Sequence, residues 1–148
     1  MRLRILSIVA VLATASAVAV VAAASTSANG LPSYTDGYAS WPRINKKPFT
    51  STGPLSSAHA GVKNVYASRK KVGTRYPNGT VIVKSIRRAG DTASRPAQVA
   101  VMRKTSGTWR YAEYELSGSR YRDLGFSQQL CQGCHMRARG NDYVFTKR

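Results

Sequence analysis

Between residues 62 and 116 apolar and polar positions alternate with a period of two, the repeat of a strand with one buried face. Four segments carry it: 62–67, 80–86, 98–103 and 109–116. The second is the most apolar, with Val81, Ile82 and Val83 at its middle. Thr80, Ile82, Lys84 and Ile86 fall on one face, and Val81, Val83 and Ser85 on the other. Both faces are largely apolar, which places this strand inside a sheet. Turn residues separate the segments: Pro77-Asn78-Gly79, then Gly90-Asp91 with Pro96, then Ser106-Gly107. Strands in succession, joined by short loops without helices, predict an antiparallel sheet. The expected fold is mainly β (α+β), with four to five strands and a few short helices.

The flanks differ. Residues 29–61 are rich in Gly, Pro, Ser and Thr, with Tyr34, Tyr38, Trp41 and Phe49 as aromatic anchors. Prolines at 32, 42, 48 and 54 break any long helix, leaving room for a short one over 36–41. At the other end, 127–140 reads as a helix capped by Ser127 and ended by Gly140, with Gly133 weakening it by about 1 kcal/mol. Tyr143-Val144-Phe145 forms a short apolar tail. Residues 1–28 begin with Arg2 and Arg4, continue as an uncharged Ala- and Val-rich run, and end in small residues. That order is a secretory signal peptide, with cleavage near 24 or 28. The rival reading is a retained anchor, the only source of membrane contact. Either way the domain at 29–148 faces an extracytoplasmic, periplasmic or secreted, space.

Composition narrows the function. At 148 residues the chain is one domain, too short for a TIM barrel or a two-domain dehydrogenase. Lys and Arg number 23 against 6 Asp and Glu, a net charge of +17. Arg69-Lys70-Lys71, Arg75 and Arg87-Arg88 form basic clusters. There is no recognition helix or stacking motif for nucleic acid. A solvated basic face that meets an acidic redox partner is the expectation.

The 2 cysteines are too few for a disulfide scaffold. They stand in Cys131-Gln132-Gly133-Cys134-His135, a C-x-x-C-H motif, the attachment signature of c-type haem. On a helix, positions i, i+3 and i+4 share one face. Both thiols can then reach one porphyrin, with the His135 imidazole aimed at its iron. A plain disulfide, a thioredoxin-like pair and a zinc site compete. The chain has no βαβ pattern for the second, and only His59 and His135 to complete the third. Haem is the reading that motif and leader favour together. Met136 adjoins the proximal ligand and cannot reach the opposite side of the iron. A sixth ligand would come from Met102, His59 or a lysine, and an open sixth position suits small-molecule binding or turnover.

These residues resemble the cytochrome P-460 family. The likeness runs from Trp41 and Ile44-Asn45-Lys46-Lys47-Pro48-Phe49 through His59, Val65-Tyr66 and Gly79-Thr80-Val81-Ile82-Val83-Lys84. It continues through Val101-Met102-Arg103-Lys104, Trp109, Cys131 to His135 and Asp142-Tyr143-Val144-Phe145-Thr146. The resemblance implies a mainly antiparallel β fold, often dimeric, with haem c held by Cys131 and Cys134 and His135 on the iron. It implies oxidation of hydroxylamine or handling of nitric oxide. It also maps a lysine cross-linked to the porphyrin onto Lys84. The related cytochromes c′-beta lack that cross-link and bind nitric oxide or carbon monoxide, which is the alternative function.

Two positions depart from the pattern. The hydroxylamine-oxidising members carry a distal carboxylate that would fall within 98–102, where this chain has none. Glu113 and Glu115 on the next strand are the available substitutes. The basic position before Val65-Tyr66 is Lys63, expected to be solvated. His59 reads as a local hydrogen-bonding loop residue, Met102 as core, and Tyr111, Tyr114 and Tyr121 as sheet residues. Asn78-Gly79-Thr80 matches a glycosylation acceptor, which the turn explains.

Overall fold

The computed structural model describes residues 25–50, 59–92 and 95–146. The expected leader lies outside them as far as residue 24; the alternative cleavage point near 28 falls inside, where Ser27 N–H donates to the Leu31 carbonyl at 2.8 Å. The strands are β1 (Val62–Ala67), β2 (Val81–Arg87), β3 (Gln98–Thr105), β4 (Thr108–Ser117) and β5 (Arg120–Asp123). They form one antiparallel meander in the order β1-β2-β3-β4-β5. The period-two reading places the first four within two residues at each end. The fifth, Arg-Tyr-Arg-Asp, buries only Tyr121, and so carries no alternation long enough to read.

The two faces of the sheet have separate cores. Val81, Val83, Val99 and Val101 turn one way, onto Leu31, Tyr114, Tyr121 and the aromatic anchors Tyr34, Tyr38 and Trp41. The 29–41 segment is therefore the lid of that face. Gly30 lets it lie on β5: a Cβ there would sit 2.2 Å from the Tyr121 carbonyl oxygen. Two 3-10 turns, Ser33–Thr35 and Tyr38–Ser40, replace the expected short helix over 36–41. Gly37, left-handed at φ 69°, divides them. The other face gathers Val65, Ala67, Ile82, Met102, Trp109, Tyr111, Tyr76 and Val144.

Both sheet edges are managed by side-chain amides. Along β1, Asn45 Oδ1 accepts from the Val65 N–H at 2.6 Å, and its Nδ2 donates to the Lys47 and Lys63 carbonyls. The Ile44-Asn45-Lys46-Lys47-Pro48-Phe49 stretch thereby covers an edge that would otherwise be open for pairing. Along β4, strand β5 reaches only as far as Tyr114. Beyond it the Gln128 amide stands in for a strand residue: Tyr111 N–H donates to Oε1 at 2.9 Å, and Nε2 donates to the Tyr111 carbonyl at 2.7 Å.

Gln128 opens helix α1 (Gln128–His135), whose N-cap Ser127 accepts from the Leu130 N–H. The helix is shorter than the expected 127–140. Its hydrogen bonding tightens into a 3-10 segment, Met136–Asn141, with a non-helical break at Ala138. Gly140 does not end it. The reversal comes at Asp142 and Tyr143, left-handed at φ 52° and 64°.

Candidate functional site

Consecutive rows of the sheet build one wall of a cavity of about 540 Å³. In one row Val65, Lys84, Ala100 and Glu113 are register neighbours, and all four line it. In the next, Ile82, Met102 and Tyr111 do the same. Helix α1 supplies the opposite side with Leu130, Cys131, Cys134 and His135. The size lies within the range that encloses a ligand of drug or cofactor dimensions. The i, i+3, i+4 spacing thus does what it predicts: the two cysteines and the histidine open onto one space.

His135 is buried and held on three sides. Its ring lies 4.8 Å from that of Tyr111 and 5.2 Å from that of Phe145. Its Nδ1 faces the Tyr143 carbonyl oxygen at 2.7 Å. The carbonyl can only accept, so Nδ1 carries the proton and Nε2 is left as a lone-pair donor. Burial pushes the imidazole down to about 4, against the opposing pull of the Tyr143 carbonyl, so the ring is neutral at ordinary pH. A neutral imidazole with a backbone-held Nδ1–H is the form that ligates a metal. Both cysteines are free thiols and half-buried. Among the described residues no three His, Cys, Asp or Glu side chains gather as a group that could hold a bare metal ion. The donor set fits a porphyrin with covalent arms: two thiols and one imidazole on one face of a helix, over a largely apolar cavity.

The chain matches the family described as Cytochrome P460 over residues 35–146. It belongs to the cytochrome P460 family. That membership makes it a haem cytochrome. No curated protein matches the chain.

Within this cytochrome Lys84 and Lys63 are both buried. Lys84 does not snorkel to the surface; it is 8% exposed and faces the cavity. Desolvation, helped by the nearby Lys63 charge, lowers its amine to about 8. Its Nζ lies 5.9 Å from the centre of the Phe145 ring, the same ring that packs on His135. Lys63, expected to be solvated, is buried, at 1% exposure. The reason is the alternation of β1, which puts Lys63 on the inward face with Val65 and Ala67. Its Nζ donates to the Gly61 carbonyl at 3.0 Å, and burial lowers its amine from the ordinary lysine range. Arg69, Lys70, Arg75 and Arg88 are exposed as expected, while Lys71 is half-buried and donates to Asn141 Oδ1 at 2.6 Å.

No carboxylate lies within 98–102, but one faces the cavity from the next strand. Glu113 lines the cavity and is 8% exposed, whereas Glu115, at the sheet's end, is exposed. His59 is not a purely local hydrogen-bonder. It also lines the cavity, and its Nδ1 lies 3.0 Å from Glu113 Oε1. Gly61, at φ 122°, lets the chain after His59 run against the end of β2, since a Cβ there would meet the Arg87 carbonyl oxygen. The sequence held one clue to this pair: Glu113 has the strand parity of Trp109 and Tyr111. It held none for Gln128, whose role depends on where β5 stops.

Proposed function

We propose that this haem cytochrome is an exported c-type protein that oxidises hydroxylamine or processes nitric oxide, with His135 on the iron and an open sixth position. The observation that carries the reading is the His59–Glu113 pair, which lines the same cavity as Cys131, Cys134 and His135. Haem supplies the redox chemistry when bound. Cys131 and Cys134 hold it as thioethers, and His135 offers Nε2 to the iron. Glu113 takes a proton from the N–H or O–H of a small substrate in the cavity. His59, with a side chain 22% exposed, carries that proton toward solvent. Met102 also lines this cavity. Lys84 is the candidate for the covalent bond to the porphyrin edge, and burial favours its nucleophilic neutral amine. The basic exterior suits an acidic electron acceptor. Export follows from the leader at 1–28.

A second reading rests on the rest of the lining. Val65, Ile82, Met102 and Val144 make much of the cavity apolar, which suits reversible nitric oxide or carbon monoxide binding without turnover. The deciding experiment uses protein matured with a c-type haem system. Its ferrous spectrum, intact mass and hydroxylamine turnover are measured beside Lys84→Arg and Glu113→Gln. A strongly red-shifted Soret band that vanishes in Lys84→Arg supports the cross-link. Turnover that falls about 10²–10⁴-fold in Glu113→Gln supports the proton acceptor. An ordinary c-type Soret band, reversible nitric oxide binding and no turnover select the second reading.

A further inference from the structure

Asp142 and Tyr143 are consecutive residues other than glycine with left-handed backbone, φ 52° and 64°. That conformation costs an L residue roughly 1–2 kcal/mol, so the surroundings must enforce it. Backbone bonds supply part of that, from the Asp142 N–H to the Arg139 carbonyl at 3.1 Å and from the Tyr143 N–H to the Ala138 carbonyl at 2.9 Å, and the side-chain contacts converge on one carboxylate. Asp142 Oδ2 accepts from Lys104 Nζ at 2.8 Å and from the Tyr76 N–H at 2.7 Å. Oδ1 accepts from Trp109 Nε1 at 3.5 Å. Lys104 and Trp109 are register partners near the β3–β4 turn, so the sheet itself grips the chain here. One residue later, the Tyr143 carbonyl meets His135 Nδ1 at 2.7 Å.

We propose that Asp142 is a positioning residue for the iron ligand. The clamp on the sheet holds the left-handed turn, the turn aims the Tyr143 carbonyl, and the carbonyl fixes the tautomer and plane of His135. Asp142 itself does not line the cavity. The distance from clamp to ligand is covered by a single peptide unit, so little slack separates them. A ligating histidine whose second nitrogen loses its acceptor becomes a poorer donor and is less firmly oriented. The inference rests on the reading of His135 as the iron ligand.

The test uses the full chain matured with c-type haem, as wild type, Asp142→Asn and Lys104→Met. Asn adopts the left-handed region as readily as Asp, so the first variant removes the clamp's charge and keeps its backbone preference. The readouts are reduction potential, the ferrous iron–histidine stretching frequency, displacement of His135 by added imidazole, Tm and intact mass. Both variants are expected to keep covalent haem, lower the stretching frequency, raise the potential and ease displacement by about 10-fold or more. A lower Tm with potential, stretching frequency and displacement at wild-type values overturns the proposal and leaves Asp142 an anchor only. Where Asp142→Asn does not accumulate, the same readings on Lys104→Met decide. A wild-type mass without covalent haem overturns this proposal together with the haem reading, and is recognised before either variant is measured.

Discussion

Two buried lysines on the same face of the sheet meet opposite surroundings. Lys104, on β3, is 5% exposed and paired with Asp142 at 2.8 Å, its Nζ 5.4 Å from the centre of the Trp109 ring. Lys84, on β2, is 8% exposed and looks into the cavity, where Phe145 gives it a ring face and Glu113 a more distant charge. One ammonium is matched by a carboxylate in hydrogen-bond contact. The other is held toward its neutral form by desolvation. A fold that needs a buried lysine for stability gives it a partner. One left without a close carboxylate, in a cavity shared with two thiols and an imidazole, has the surroundings that the proposed reactive amine requires.

The same substitution at the two positions should therefore act with opposite sign. Lys104→Met leaves the Asp142 carboxylate buried with only the Tyr76 and Trp109 N–H groups. Breaking a buried pair this way costs about 3–5 kcal/mol, read from urea unfolding at neutral pH. The pH dependence follows from Asp142. Burial alone would raise its carboxyl, but the bonds from Lys104 and Tyr76 hold it below the usual range. Its stabilising contribution is present above the unfolded carboxylate value near ~4 and is lost as pH falls through the lower folded value. The gap between wild type and Lys104→Met should close in acid. A gap that stays constant down to low pH would sink the ion-pair account and leave a packing effect.

Lys84→Met should stabilise the haem-free protein. Lowering the amine from 10.5 to about 8 corresponds to a folding penalty on the order of 3 kcal/mol at neutral pH. The unfolded chain keeps its proton between those two values while the folded chain releases it. Wild-type stability therefore rises with pH across that window, and the advantage of Met fades toward pH 10.5. Destabilisation by Lys84→Met at pH 7 would show that Lys84 is matched after all, and the contrast with Lys104 would fall.

The contrast was only half legible in the sequence. Strand periodicity placed Lys84 on an inward face of an interior strand, and the C-x-x-C-H spacing brought Cys131, Cys134 and His135 together. Those are local signals, repeating every two residues or within one helical turn. Lys63 was misread because a lysine is usually a surface residue, and one position of alternation on β1 outweighed that preference. The Lys104–Asp142 clamp joins positions 38 residues apart, and no spacing rule encodes it. For the His59–Glu113 pair, 54 residues apart, strand parity turns Glu113 inward but does not name its partner. Gln128 is an ordinary polar residue until β5 ends short of Tyr111 and leaves two backbone groups for its amide. Replacing it with Ala should cost about 1–3 kcal/mol, since Tyr111 then loses both partners on that side. The loss should appear in urea unfolding as a change in midpoint with an unchanged slope.

The smallest effect discriminates most finely. Glu113 raises the Lys84 amine against the larger pull of desolvation. Glu113→Gln should then move the Lys84 titration further down, by less than the ~1.4 kcal/mol of one pK unit. Glu115→Gln, two residues along on the same strand parity but exposed at the sheet's end, should leave it in place. The titration can be followed through the pH dependence of Lys84 acylation in haem-free protein, located by peptide mass. Equal shifts from the two variants would mean that Lys84 senses only the net charge of the molecule. A shift confined to Glu113→Gln would mean that amine and carboxylate share one low-dielectric space, as a proton acceptor and a cross-linking amine in a single cavity must.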